Sequence, residues 1–121
     1  MSEEVIREVS LFGTIRYYNK EVNLHRTDGP AVTYTSGREE WYQNGEFHRE
    51  GGPAVEYADG SKEWWIEGNL HRLDGPAVEC TDGYKAWYLE GKHYKTEKEW
   101  ERVRCPSIET LKEMFKEVRH E

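Results

Sequence analysis

Three near-copies of one seven-residue string limit what this chain can fold into more than any other feature. Residues 24–30 read LHRTDGP, residues 47–53 FHREGGP and residues 70–76 LHRLDGP. His25, His48 and His71 therefore recur every 23 residues, each followed by Pro-Ala-Val at Pro30, Pro53 and Pro76. Trp41, Trp64 and Trp87 keep the same interval, as do Tyr42, Trp65 and Tyr88, and Gly45, Gly68 and Gly91. A period of this size marks a fold in which each unit buries its apolar face on its neighbours. Extended backward, the register places Tyr18 at the Trp position and Val22 at the Gly position. Extended forward, it ends near Lys95, with Tyr94 where His would stand. Atypical end units are what a repeat array needs as caps.

Each unit reads as a β-hairpin with a structured loop. Ala54–Tyr57 and Lys62–Ile66 are short and rich in β-formers, with Asp59-Gly60 between them. Ser36-Gly37 and Asp82-Gly83 hold the same place. Asp-Gly suits a two-residue turn with positive φ at both central residues. That turn predicts Val55 opposite Trp64, Val32 opposite Trp41 and Val78 opposite Trp87. Ile66 and Leu89 then join a buried tryptophan ladder with a spacing of about 10 Å. The other face carries Ala31/Tyr42, Ala54/Trp65 and Ala77/Tyr88, beside Thr33/Glu40, Glu56/Glu63 and Glu79/Ala86. Glu56 facing Glu63 is an unfavourable like-charge pair, so either the register differs by one or that face serves something besides stability. A second turn falls at Asn44-Gly45, Glu67-Gly68 and Glu90-Gly91.

The expected fold is thus mainly β: an elongated single-layer antiparallel sheet of stacked 23-residue hairpins, with a C-terminal helical cap. Residues 1–10 form an N-terminal segment, 11–95 the repeats and 96–121 the cap. Thr96-Glu97-Lys98-Glu99 is a capping box for a helix to about Arg104. Cys105-Pro106 breaks it, and Ser107 caps a second helix with Ile108, Leu111, Phe115 and Val118 on one stripe. That cap covers the last edge strand, or it serves as a dimerising or partner-binding helix.

The 23-residue period, with Trp, then Gly, then His, and a following Asp-Gly, resembles the MORN repeat. The His-Arg-x-Asp-Gly-Pro-Ala segment departs from it, since MORN units place Gly directly after the His. It resembles the MORN-like variant found in phage, large-virus and some bacterial proteins, over roughly residues 17–95. The resemblance implies a scaffold that binds proteins or lipids, and some bacterial relatives are named as antitoxins.

Composition fits such a sheet. The hydrophobic share is 36% and the charged share 34%, yet there are five Trp and eight Tyr. A disordered polar chain is poor in aromatics. The net charge of −7 disfavours nucleic acid and anionic lipid and suits a basic partner. No apolar run approaches a membrane span, and the first residues lack a secretory pattern. Cys80 and Cys105 form no CxxC and read as reduced thiols in a cytoplasmic setting, the host cytoplasm if the chain is phage-encoded.

No catalytic motif, metal site or cofactor is expected. Equivalent histidines about 10 Å apart cannot share one metal, so each ring is expected to fix a turn by a hydrogen bond. The candidate partner-binding surface is the aromatic–acidic face: Glu40, Tyr42, Glu56, Glu63, Trp65, Glu79 and Tyr88. It offers aromatic anchors and charge to a protein with a basic surface, or else it is covered by the cap, the N-terminus or a second copy in a homodimer. Arg26, Arg49 and Arg72 form a row that either pairs locally with Asp28 and Asp74 or binds an anionic lipid headgroup or nucleotide. Gly51 replaces the aspartate beside Arg49. The functions in view are a small inhibitor, antitoxin-like or phage counter-defence protein, an anion-binding module, and a self-assembling scaffold.

Overall fold

The structure is a computed structural model that describes residues 4–104 of the chain. The described chain is mainly β, with thirteen strands and one helix. The strands are β1 (Ile6–Val9), β2 (Ile15–Tyr18), β3 (Val32–Thr33), β4 (Glu39–Glu40), β5 (Tyr42–Gln43), β6 (Glu46–Phe47) and β7 (Val55–Glu56). They continue with β8 (Lys62–Glu63), β9 (Trp65–Ile66), β10 (Asn69–Leu70), β11 (Val78–Glu79), β12 (Lys85–Leu89) and β13 (Lys92–Tyr94), followed by α1 (Glu97–Arg104). Nine of them form one antiparallel sheet in the order β1-β2-β3-β4-β7-β8-β11-β12-β13, while β5-β6 and β9-β10 form two-stranded pairs.

The hairpin turn departs from expectation, and its departure sets the register. Tyr57 donates its N–H to the Ser61 carbonyl, and Gly60 donates to the Tyr57 carbonyl, both at 2.9 Å. The loop therefore has three residues, Ala58-Asp59-Gly60, ending in a left-handed glycine with φ of 96°. A tight turn followed by such a glycine is the usual three-residue hairpin. One extra residue shifts the pairing by one. Val55 faces Glu63 rather than Trp64, and Glu56 faces Lys62 rather than Glu63. The Glu56–Glu63 pair is thus replaced by Glu56–Lys62, while on its other side Glu56 faces Glu39. The same bonds close Tyr34–Arg38, Cys80–Tyr84 and Ser10–Thr14. The turns with positive φ at both central residues lie instead at Asn44-Gly45, Glu67-Gly68 and Glu90-Gly91.

Opposed residues share a sheet face and alternate residues share it along a strand. Val32, Glu40, Val55, Glu63, Val78 and Ala86 therefore lie on one face, with Tyr42 and Trp65 two residues on. Trp41, Trp64 and Trp87 lie on the other, with Thr33, Glu39, Glu56, Lys62, Glu79 and Lys85. The valines and tryptophans are thus on opposite faces, which corrects the expected ladder. Val32 and Val55 are the largest side chains buried completely, beside Ala31, Ala54 and Ala77.

At the N-terminal end, Tyr17 and not Tyr18 takes the tryptophan place. Its N–H donates to Ala31 as those of Trp41 and Trp64 donate to Ala54 and Ala77. The cause is a longer turn: Asn19 bonds to Asn23 and Val22 to Asn19, so three residues stand where later turns have two. Val22 holds the left-handed place with φ of 65°, an unusual conformation for a β-branched residue. Ile6–Val9, within the segment set apart as 1–10, pairs with Ile15–Tyr18 as the edge strand of the sheet.

The opening of α1 follows its capping box, with the Glu99 N–H donating to Thr96 Oγ1 at 3.2 Å. Trp100 is 2% exposed and donates its indole N–H to the Arg72 carbonyl at 3.1 Å. The helix packs on β12 and β13. Cys105 and the expected second helix with Ile108, Leu111, Phe115 and Val118 lie outside the described residues.

The three histidines tie these elements together. Asn44 donates its N–H to His25 Nδ1 at 2.9 Å, Glu67 to His48 Nδ1 at 2.9 Å and Glu90 to His71 Nδ1 at 2.8 Å. Each donor opens a two-residue turn 19 positions on. An accepting Nδ1 carries no proton, so a neutral ring holds its proton on Nε2. An asparagine Oδ1 sits close to where Nδ1 does. His48→Asn should therefore retain most of the stability that His48→Ala loses, about 0.5–1.5 kcal/mol for one hydrogen bond. Urea unfolding of the two variants checks this; equal losses would mean that the bond contributes nothing.

Candidate functional site

The face bearing Tyr42 and Trp65 is built around two carboxylates. Glu40 is 3% exposed. Its Oε1 accepts from Tyr42 Oη at 3.2 Å and Tyr34 Oη at 3.4 Å, and its Oε2 pairs with Arg38. A buried carboxylate must be paired in this way, because its desolvation is otherwise expensive. One period on, Glu63 accepts from Tyr57 Oη at 2.8 Å and from Trp65 Nε1 at 2.9 Å. Glu63 makes no ion pair among the described residues. Arg38 lies over the Tyr57 ring at 4.8 Å and links the two clusters.

These contacts fix the rings. Tyr42 stacks on Phe47 with centroids 4.5 Å apart, and Phe47 meets Trp65 at 5.1 Å. Tyr42, Phe47 and Trp65 each keep part of their surface exposed. Burial first, and then the Glu40 charge and hydrogen bond, hold the Tyr42 hydroxyl far above the ordinary phenol range. Burial and the bond to Glu63 push Tyr57 up to about 12. At the next copy Ala86 replaces the carboxylate and Cys80 the tyrosine. There Tyr88 instead packs on His93 at 5.0 Å.

The seven expected partner-binding residues therefore divide. Glu40, Tyr42, Glu63, Trp65 and Tyr88 share one face. Glu56 and Glu79 belong to the other, paired with Arg49 at 3.7 Å and Arg72 at 2.7 Å. Glu40 lies too deep to touch a partner. Phe47 completes the strip although the sequence reading did not select it. Its signal was an apolar residue directly before His48, stacked between rings of two successive units.

The arginine row is committed to the fold in a repeated way. The guanidinium of Arg26 lies 4.1 Å from the Tyr17 ring centroid, Arg49 3.8 Å from Trp41 and Arg72 3.6 Å from Trp64. Nη1 of each donates to the carbonyl of Pro30, Pro53 or Pro76. Nε of Arg26 and Arg72 donates to Asp28 and Asp74, both at 2.9 Å. On its other side the guanidinium lies over a glycine: a Cβ on Gly29, Gly52 or Gly75 would stand 2.7–2.8 Å from the arginine Cζ. A side chain at the glycine of the motif would therefore displace the guanidinium from the place it holds between an aromatic ring and bare backbone.

The first hairpin shows a feature the repeat register concealed. Leu11 and Phe12, at the turn tip, are 92% and 84% exposed, where the other copies have Thr35-Ser36, Ala58-Asp59 and Thr81-Asp82. Ile6 and Val9 on β1 are also exposed. Replacement of polar turn residues by Leu-Phe was the available signal.

Among the described residues no three His, Cys, Asp or Glu side chains are grouped to hold a metal, and no helix is long and apolar enough to cross a membrane. Compared with family models, curated proteins and solved structures, the chain matches none.

Two outcomes follow from this geometry. Gly75→Ala should cost about 1–2 kcal/mol by displacing the Arg72 guanidinium, and should cost much less in an Arg72→Ala background. A double-mutant cycle measures the difference; additive losses would separate the glycine from the arginine. For Tyr57, the raised value gives the sign. An unfolded tyrosine ionises near about 10, so the bond from its hydroxyl to Glu63 acts in full below that pH and is lost as pH rises through about 12. Tyr57→Phe should cost about 1 kcal/mol at pH 8, with the gap to wild type closing as pH rises beyond about 10. Urea unfolding across this range decides; a gap that does not change with pH would contradict the assignment.

Proposed function

We propose that this chain is a non-enzymatic, MORN-like repeat module that binds a protein partner through the Tyr42–Phe47–Trp65 strip. One observation carries the reading: the strip is part-exposed, locked in place, and floored by Glu63, a carboxylate with two neutral donors and no ion-pair partner among the described residues. Partner interfaces concentrate their energy in such preorganised aromatic anchors. A lysine or arginine of the partner laid over Trp65 would meet both the ring face and the Glu63 charge. The net charge of −7 would steer a basic surface toward it. The exposed Leu11-Phe12 tip supplies a second apolar contact, as exposed patches of this kind mark interaction sites.

The finer reading, stacked 23-residue hairpins throughout, is supported by backbone bonds that recur from copy to copy. An inhibitor-like, antitoxin-like or phage counter-defence role rests on the family resemblance. A cytoplasmic setting is part of the same proposal.

Glu63→Gln removes the charge and keeps an acceptor for Trp65. Wild type should retain a basic partner from its native host in near-equal stoichiometry. Glu63→Gln should lower affinity at least about tenfold, the scale of one charge-assisted contact, and flatten its salt dependence. Trp65→Ser with Phe47→Ser should abolish retention while circular dichroism stays that of a folded chain. Retention unchanged in both variants would reject this face as the binding surface.

A further inference from the structure

Three copies of one loop differ at a single place, and a cavity opens there. Arg26 and Arg72 each donate Nε to an aspartate two residues on. Beside Arg49 that residue is Gly51, in a left-handed conformation with φ of 83° and open space around its absent Cβ. Among the described residues the Arg49 guanidinium lies over the Trp41 ring and against Gly52, and its Nη1 reaches the Pro53 carbonyl at 3.1 Å and Glu56 at 3.7 Å. Its Nε has no hydrogen-bond partner among the described residues, and the side chain remains 27% exposed. A cavity of about 630 Å³ runs from Arg49 past Gly51 and Gly52 to Trp64, Ile66 and Leu73.

We propose that this cavity binds an acidic peptide segment of a partner protein. Its carboxylate takes the place on Arg49 Nε that Asp28 and Asp74 fill in the other two loops. An apolar neighbour in the same segment lies against Trp64 and Ile66. The charges around the site select the ligand. Glu50 and Asp74 line the cavity and Glu56 lies beside Arg49, so a dianionic phosphate meets more repulsion than a singly charged carboxylate. Arg72 adds no free cation, being paired with Asp74 and Glu79. One guanidinium edge matches one carboxylate. The site is separate from the Glu63–Trp65 surface, lying on the opposite face, and stands or falls independently of it.

The test is an NMR titration of the full ¹⁵N-labelled chain with capped leucyl-aspartate and, as its uncharged counterpart, capped leucyl-asparagine. The aspartate probe should shift the Arg49 Nε–H resonance to saturation and leave those of Arg26 and Arg72 in place. The asparagine probe should leave all three unmoved. Gly51→Asp, whose side chain tolerates left-handed backbone better than most, supplies the carboxylate within the chain. It should weaken the titration at least about tenfold. The proposal is overturned if Arg49 does not respond, if the three arginines respond together, if both probes act alike, or if folded Gly51→Asp titrates as wild type does.

Discussion

The arginine held between an aromatic ring and a glycine, with the histidine before it bonded to the next turn, is the interaction on which the described structure depends. Each of the two residues reaches both ways along the chain. His48 donates its N–H to the Trp41 carbonyl behind it and accepts at Nδ1 from Glu67 ahead. Arg49 stacks on Trp41 behind and donates its N–H to the Trp65 carbonyl ahead. A loop that would otherwise be a loose connection thereby fixes two hairpins against each other. Each partner then constrains the next residue type: an aromatic ring to receive the guanidinium, a glycine to let it approach, and a proline carbonyl to accept from it.

This explains how a chain with so small an aliphatic interior is held. Among the described residues the completely buried side chains are three alanines and two valines. What stands in for a thick core is a set of flat groups stacked at close range, several of them hydrogen-bonded at their polar edges. Tryptophan, tyrosine and arginine suit this because they combine large contact area with directed donors. Glu40 and Glu63 extend the same logic to the other face, where carboxylates bind tyrosine and tryptophan donors and thereby orient the rings.

Much of this was legible from the sequence. The 23-residue interval of His, Trp and Gly located the turns and the loops, the Thr96-Glu97-Lys98-Glu99 string located the helix start, and the structural use of the histidines followed from their spacing. The register was not legible, because Asp-Gly serves both a two-residue turn and the last two places of a three-residue turn. The choice between them moves every side chain to the other face. The like-charge pair of Glu56 and Glu63 was the trace of that error, and its removal returns Glu56 to Lys62. Tyr17 was missed for a similar reason: one residue added between Asn19 and Asn23 breaks the interval at its first step. Ring stacking through Phe47 and the glycine contacts of the arginines depend on side-chain approach, which no spacing rule encodes. The division of Glu40, Glu63 and Trp65 from Glu56 and Glu79 followed only once the register was known.

If the His–Arg loops bind successive hairpins as described, the amides of Asn44, Glu67 and Glu90 are structural despite lying in exposed turns. Native-state hydrogen exchange reads them individually. The account predicts that these three amides exchange slowly, with protection close to that of Trp41 and Trp64 in the sheet, and that each loses it when its own histidine is replaced by alanine. Exchange of all three at the rate of an unbonded turn amide, beside a protected sheet, would contradict it.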